Sequence, residues 1–164
     1  IDLNWREVFW NYSTFSSQII EKERVNLIQE FLNYANILKL AKEEALLFFD
    51  NANPYEISET LLKRPDVIIT NGADPISWFI NGLQGETKVH NSSKIIDTTG
   101  AGDAFLAGLI SKLISSGYPS NEFEIQDYVR FSSVCGLLTC LGEGAIEQQP
   151  DHLKVNEFLG SQIL

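Results

Sequence analysis

The sequence runs to 164 residues, 44% of them hydrophobic, which suffices for one ordinary core and falls short of two comfortable ones. A formal net charge of -10 and a pI near 4.6 speak against a phosphate-backbone partner, because nucleic-acid binding needs Lys and Arg to displace counterions. No apolar run approaches the roughly 20 residues that span a bilayer, and no charged-then-apolar leader opens the chain, so a cytoplasmic protein with neither membrane nor nucleic-acid partners is expected. Cys135 and Cys140 have no partners at metal-site spacing and read as reduced core thiols.

The chain opens on IDLNWREVFW, without Met, in what reads as the end of a strand, so a fragment of a longer protein is expected. From Glu21 to Tyr34, apolar residues at Val25, Ile28, Phe31 and Leu32 have the spacing of a helix with one buried face, and NILKL follows as a short strand. KEEALLFF returns to helix. A second short helix begins after Asn53, with Pro54 in its first turn, and Pro65 stops it. DVIIT, Asp66 to Thr70, is an apolar strand of the buried parallel kind. ISWFING and ETKVHN, punctuated by Asn81-Gly82, predict an antiparallel hairpin carrying His90. KIID reads as a short strand, and helices are expected from about Gly102 to Ser116, Ile125 to Leu141 and His152 to Leu159. Strands alternating with helices predict an α/β fold in three layers, α/β/α, around a mostly parallel sheet.

The stretch DTTGAGDAF, Asp97 to Phe105, carries the chemistry. A glycine-containing turn opens a helix with apolar residues at Phe105, Leu106, Leu109, Ile110 and Leu113, which puts the amides of Gly100, Ala101 and Gly102 at a helix N-terminus. Unpaired N–H groups and the positive dipole end attract an anion there. Asp103, on the first turn, is placed to take a proton from an alcohol while the amides stabilise charge on a transferred phosphoryl group. An ordinary tight turn with Asp103 as a helix-start residue is the bland alternative. A dinucleotide fingerprint fails because Phe105 stands where a third small residue belongs, and no Gly-Lys-Ser/Thr of a Walker A loop occurs.

DTTGAGDAFLAG resembles the C-terminal signature of the ribokinase-like, or PfkB, sugar kinases. The resemblance implies a ribokinase-like fold present as its C-terminal part over residues 1–164, with the N-terminal half and its lid absent. It implies Gly100, Ala101 and Gly102 as an anion hole for the γ-phosphate of ATP and Asp103 as catalytic base. ILKLAKEEALLFF resembles the family's N-x-x-E segment; Glu44 matches and implies an indirect hold on Mg²⁺, while Ala41 stands at the asparagine position. VIITNGADP resembles the T-x-G-x-x-G loop beside the nucleotide, matching at Thr70 and Gly72, with Pro75 in place of the last glycine. In FSSVCGLLTCLGEGAIEQQP, Gly144 and Ala145 match the turn that closes the adenine and cation side, and Ser133 stands where many relatives carry asparagine. Gln148, and Asp97 at the head of the signature, leave room for a monovalent cation such as K⁺.

DLNWREVFW is similar to the D-x-N-x-R…W strand end of fructokinases and 2-keto-3-deoxygluconate kinases, with Asp2, Asn4, Arg6 and Trp10 in register. The resemblance implies that Arg6 reaches the sugar or phosphoryl region; a surface ion pair between Asp2 and Arg6 is the alternative. The expected activity is ATP-dependent phosphorylation of a sugar primary hydroxyl, in the fructokinase form by preference, with a homodimer as the expected assembly when full length. An acid-sugar kinase and a catalytically silent homologue are the rivals. His90 and His152 have no nucleophile or metal partner in sequence, and Trp5, Trp10 and Trp78 read as packing residues.

Overall fold

The computed structural model describes residues 1–6 and 17–161. Its elements are α1 (Ser17–Leu32), β1 (Ile37–Ala41), α2 (Lys42–Phe49), α3 (Pro54–Thr60), β2 (Asp66–Thr70), β3 (Ile76–Ile80), β4 (Leu83–Thr87), α4 (Ala101–Ser116), α5 (Glu122–Thr139) and α6 (His152–Ser161). Trp10 lies outside the described residues. The chain forms two compact units, one of Ile1–Asn71 with Ser77–Gln84 and the other of Gly72–Ile76 with Gly85–Leu164. Among the described residues no helix is long and apolar enough to cross a membrane.

In the first unit, Leu38 and Leu40 of β1 and Val67 and Ile69 of β2 are buried with Leu32, Ala45 and Ile57 of the surrounding helices and Leu61 just after α3. Three consecutive residues of β2, Val67 to Ile69, are buried, as befits a strand covered on both faces. Asn53 caps α3 by accepting the amides of Tyr55 at 3.0 Å and Glu56 at 3.2 Å, and Pro54 occupies the first turn, where no N–H is needed. The helical spacing of α1 overstates its buried face: Leu32 is buried, whereas Phe31 lies with Leu27 and Tyr34 on an exposed stripe.

The sheet runs β1-β2-β3-β4 and is mixed, a correction to the mostly parallel sheet expected from the alternation of elements. β1 and β2 are parallel, with Ala41 opposite Thr70, and residue 2 adds a parallel bridge to Lys39. β2 and β3 are antiparallel, with Ile68 opposite Trp78. The cause is connection length: residues 71–75 are too few for the crossover that parallel strands require. Asn81 and Gly82, at φ 50° and 75°, form the left-handed two-residue turn that suits a hairpin. That tight turn also starts β4 at Leu83, three residues ahead of the expected ETKVHN, so the hairpin ends before His90.

The second unit is built on α4, α5 and α6. Ala104, Phe131, Val134, Cys135 and Val155 form its core. α4 and α5 approach closely: a Cβ on Gly108 would stand 2.8 Å from the Cys135 Sγ, and one on Gly136 would stand 2.9 Å from the Ala101 carbonyl oxygen. Small residues at the crossing thus set where α4 begins. Ile110 is exposed, because α4 buries the stripe through Ala104, Phe105, Gly108 and Leu109. Residues 94–97 form no strand; the Ile96 amide donates instead to the Cys140 carbonyl at the end of α5, at 2.9 Å.

Candidate active site

The glycine turn of the second unit is fixed by contacts that its sequence neighbours cannot supply. Gly100 has φ 81°, a left-handed value, and a Cβ on it would lie 2.6 Å from the Cβ of Ala145. Only glycine meets both demands. The Ala104 amide closes the first helical bond onto the Gly100 carbonyl at 2.9 Å. The Ala101 amide folds back to the Thr98 carbonyl at 3.2 Å. Among the described residues none accepts from the amides of Gly100, Gly102 or Asp103, and no side chain caps α4. Asp103 is exposed on the first turn.

Asp97 joins the two turns of the site. Its Oδ1 accepts from the Thr99 hydroxyl at 2.7 Å and the Thr99 amide at 2.9 Å, and its Oδ2 accepts from the Gly144 amide at 3.0 Å. These bonds, the Thr99 hydroxyl first, hold its carboxyl below the usual carboxylate range. Asp97, Gly100–Asp103 and Gly144–Ala145 are therefore one assembly. Ser133 lies one helical turn before Gly136 on α5, with its hydroxyl donating to the Arg130 carbonyl at 2.8 Å. Gly72 follows β2 at φ 54°, with open space where a Cβ would be.

The remaining site residues belong to the first unit and gather at the carboxyl ends of its parallel strands. Thr70 ends β2, and its hydroxyl donates to the Leu40 carbonyl at 3.3 Å. Glu44 follows β1, is only 8% exposed, and accepts from the Ala41 amide at 2.7 Å and the Trp5 amide at 2.5 Å. The N-x-x-E spacing is thereby explained: Ala41 is the N-cap of α2 and Glu44 its third residue, so Glu44 supplies one half of a capping box. Ala41, with no side-chain oxygen, cannot supply the other half.

Asp2 and Arg6 do not pair. Asp2 binds Lys39 through both oxygens, at 3.0 and 3.2 Å, with the two side chains almost buried, while Arg6 is exposed and donates through Nε to the Asn4 Oδ1 at 3.3 Å. Lys39 was missed by sequence reasoning. Its signal is a lone cation within the apolar strand ILKLA.

Thiol chemistry finds no support. Burial pushes the Cys135 thiol up to about 11, and burial together with the Asp97 carboxylate raises Cys140. His152 does find a partner, the Ser111 hydroxyl 3.0 Å from its Nε2, and its ring lies against Phe131. His90 packs edge-on against Phe158. Trp78 is fully buried and Trp5 meets the edge of Phe48, so both are packing residues. Among the described residues no group of three His, Cys, Asp or Glu side chains is placed to hold a metal ion.

A turn that presents open amides beside an exposed carboxylate suits phosphoryl transfer. A fructokinase of Salmonella typhimurium is 31% identical over 131 residues, covering 76% of this chain and 41% of the relative. The crystal structure of Vibrio cholerae O395 fructokinase with fructose, ADP and calcium superposes with a TM-score of 0.77 at 27% identity, covering 96% of this chain and 49% of that one. Xylella fastidiosa fructokinase with bound ATP gives a TM-score of 0.82 at 21% identity, covering 99% and 52%, and establishes the ribokinase-like α/β fold. The chain thus spans about half the length of the relatives it matches. With the pattern of the pfkB family carbohydrate kinases running through residues 11–152, around the very turn that leaves its amides open, the chain belongs to that family.

Proposed function

We propose that the whole protein transfers the γ-phosphoryl group of ATP to a primary hydroxyl of a neutral ketose, fructose by preference, in the cytoplasm. The observation that carries the reading is the start of α4: an uncapped helix N-terminus whose glycine admits no Cβ, followed on the first turn by an exposed carboxylate. The amides of Gly100 and Gly102 hold the phosphoryl oxygens, and Ala101 adds its own once it leaves the Thr98 carbonyl. Asp103 accepts the proton of the attacking hydroxyl. Thr70, Gly72, Ser133 and Gly144 border the nucleotide, and Arg6 contacts the sugar. A magnesium ion would come with the nucleotide, held largely by phosphates and water, and Glu44, whose two oxygens accept the Trp5 and Ala41 amides, would act on it only indirectly. When bound, the ion neutralises charge on the phosphates. A monovalent cation would lie beside Asp97 and the turn it fastens.

Asp103→Asn in the whole protein should lower turnover by roughly 100- to 10,000-fold while nucleotide binding persists. Near-normal kcat in that variant would remove Asp103 from the role of base. An acid-sugar kinase is the second reading, because Arg6 is exposed and among the described residues only its Nε is engaged, leaving the terminal nitrogens able to take a carboxylate. Parallel assays with fructose, ribose, adenosine and 2-keto-3-deoxygluconate decide between them. ATP binding without phosphorylation of any acceptor would point instead to a silent homologue.

A further inference from the structure

Residues 1–3 run alongside β1 as a short parallel ladder. The Lys39 amide donates to the Ile1 carbonyl at 2.9 Å, and the Leu3 amide donates to the Lys39 carbonyl at 3.5 Å. The next inward donor is the Trp5 amide, and the ladder's register would send it to Ala41. There β1 ends and α2 begins. The backbone of Asn4 turns to φ 45°, and the Trp5 amide goes to the Glu44 Oε1 at 2.5 Å. The other oxygen of the same carboxylate takes the Ala41 amide at 2.7 Å. Glu44 thus takes the place of the strand carbonyl that is missing at this point, and does so with a charged acceptor, which holds an N–H more strongly than a carbonyl does.

We infer that Glu44 is a positioning residue for the acceptor sugar: by binding the Trp5 and Ala41 amides together it fixes the Asn4–Arg6 corner to the end of β1 and so sets where Arg6 stands. The inference rests on the kinase reading for the role of Arg6, and on geometry alone for the hold on the corner. It differs from the role the resemblance implies for Glu44, which lies on the magnesium side. The Trp5 ring against Phe48 and the buried Lys39–Asp2 pair also hold this end of the chain, while the two Glu44 bonds tie the backbone of the corner directly to the end of β1.

The test uses Glu44→Gln in the whole protein. A glutamine offers one acceptor oxygen for two amides and turns an NH₂ group toward the other. Hydrogen exchange at the Trp5 amide should quicken by about tenfold or more. The KM for fructose should rise about tenfold, with the KM for magnesium-ATP and the magnesium dependence changed by less than about twofold. Glu44→Asp keeps the charge but is one methylene short of spanning both amides, and should show the same split if the glutamine variant folds poorly. Unchanged exchange at Trp5, or a shift confined to the magnesium dependence, would overturn the inference. If the wild type phosphorylates no sugar, the kinase reading fails by itself, and Trp5 exchange together with direct fructose binding still decides whether Glu44 sets the corner.

Discussion

Ala41→Asn should stabilise the protein, and the structure gives the reason and the size. Ala41 sits at the N-cap of α2 with φ -74° and ψ 155°, the extended geometry from which a short polar side chain reaches the second or third amide of the helix. Glu44 already closes the reverse half of the capping box onto the Ala41 amide. An asparagine oxygen would complete it. Alanine and asparagine at an N-cap differ by about 1 kcal/mol, within a range of roughly 0.5–2. The lower half of that range applies if the new oxygen is repelled by the Glu44 carboxylate beside it. For a domain of the size of the relatives, about twice the length of this chain, about 1 kcal/mol is a rise of roughly 1–2 °C in Tm. Thermal and urea unfolding of the whole protein measure it, with the urea m-value expected to stay constant. A Tm unchanged or lowered, with the fold intact, would refute the assignment of Ala41 as a cap position lacking its acceptor.

Two further substitutions probe the turn and the sheet. Gly100→Ala places a side chain at φ 81° and within 2.6 Å of Ala145, so it should cost at least about 1–2 kcal/mol and weaken nucleotide binding; wild-type unfolding and affinity would show that the turn is not built this way. Asp66→Asn should alter the pH dependence of stability, because one Asp66 oxygen is buried without a partner among the described residues and burial raises its carboxyl above the ordinary value, against the opposing Asn81 amide. A raised folded pKa favours the protonated form, so the stabilisation from protonation is complete below the unfolded pKa and is lost as pH rises through the folded one. The wild type should therefore lose stability relative to the variant as pH rises from the carboxylate range toward neutrality; parallel pH profiles would dismiss the argument.

What was legible in the sequence was what neighbours along the chain decide. Asn53 and Pro54 start α3 through their own side chains, and Asn81-Gly82 makes a hairpin through its own backbone. The apolar run DVIIT announces a strand buried on both faces, and the structure buries Val67, Ile68 and Ile69 together. Misreadings arose where a distant partner decides. KIID has the composition of a strand, yet its Ile96 amide is taken by the Cys140 carbonyl. Phe31 and Ile110 fit a helical period, but which stripe faces inward depends on the element opposite. Asp2 finds Lys39 and not Arg6, and Gly100 needs Ala145; both pairings join residues far apart in the chain.

Every helix begins with amides that lack an internal acceptor, and what each start does with them separates structure from site. Asn53 accepts two at α3, Asn121 accepts the Glu124 amide at α5, and Asp151 accepts the Lys154 amide at α6. α2 carries the buried Glu44 carboxylate over its first turn. At α3, α5 and α6 a side-chain oxygen accepts from the first turn, whereas at α2 the Glu44 carboxylate turns back onto the Ala41 amide. α4 departs from this pattern: its cap is a glycine, no side chain caps it, and Asp103 is exposed with no donor engaged among the described residues. A polar cap is worth only a few tenths of a kcal/mol over glycine, and no side chain fits at residue 100, so α4 begins without a side-chain acceptor. On the proposed reading, an anion bound to the amides left open here would take the place of the absent cap. The Asp97 bonds to Thr99 and Gly144 hold the turn's shape in the meantime without covering its donors.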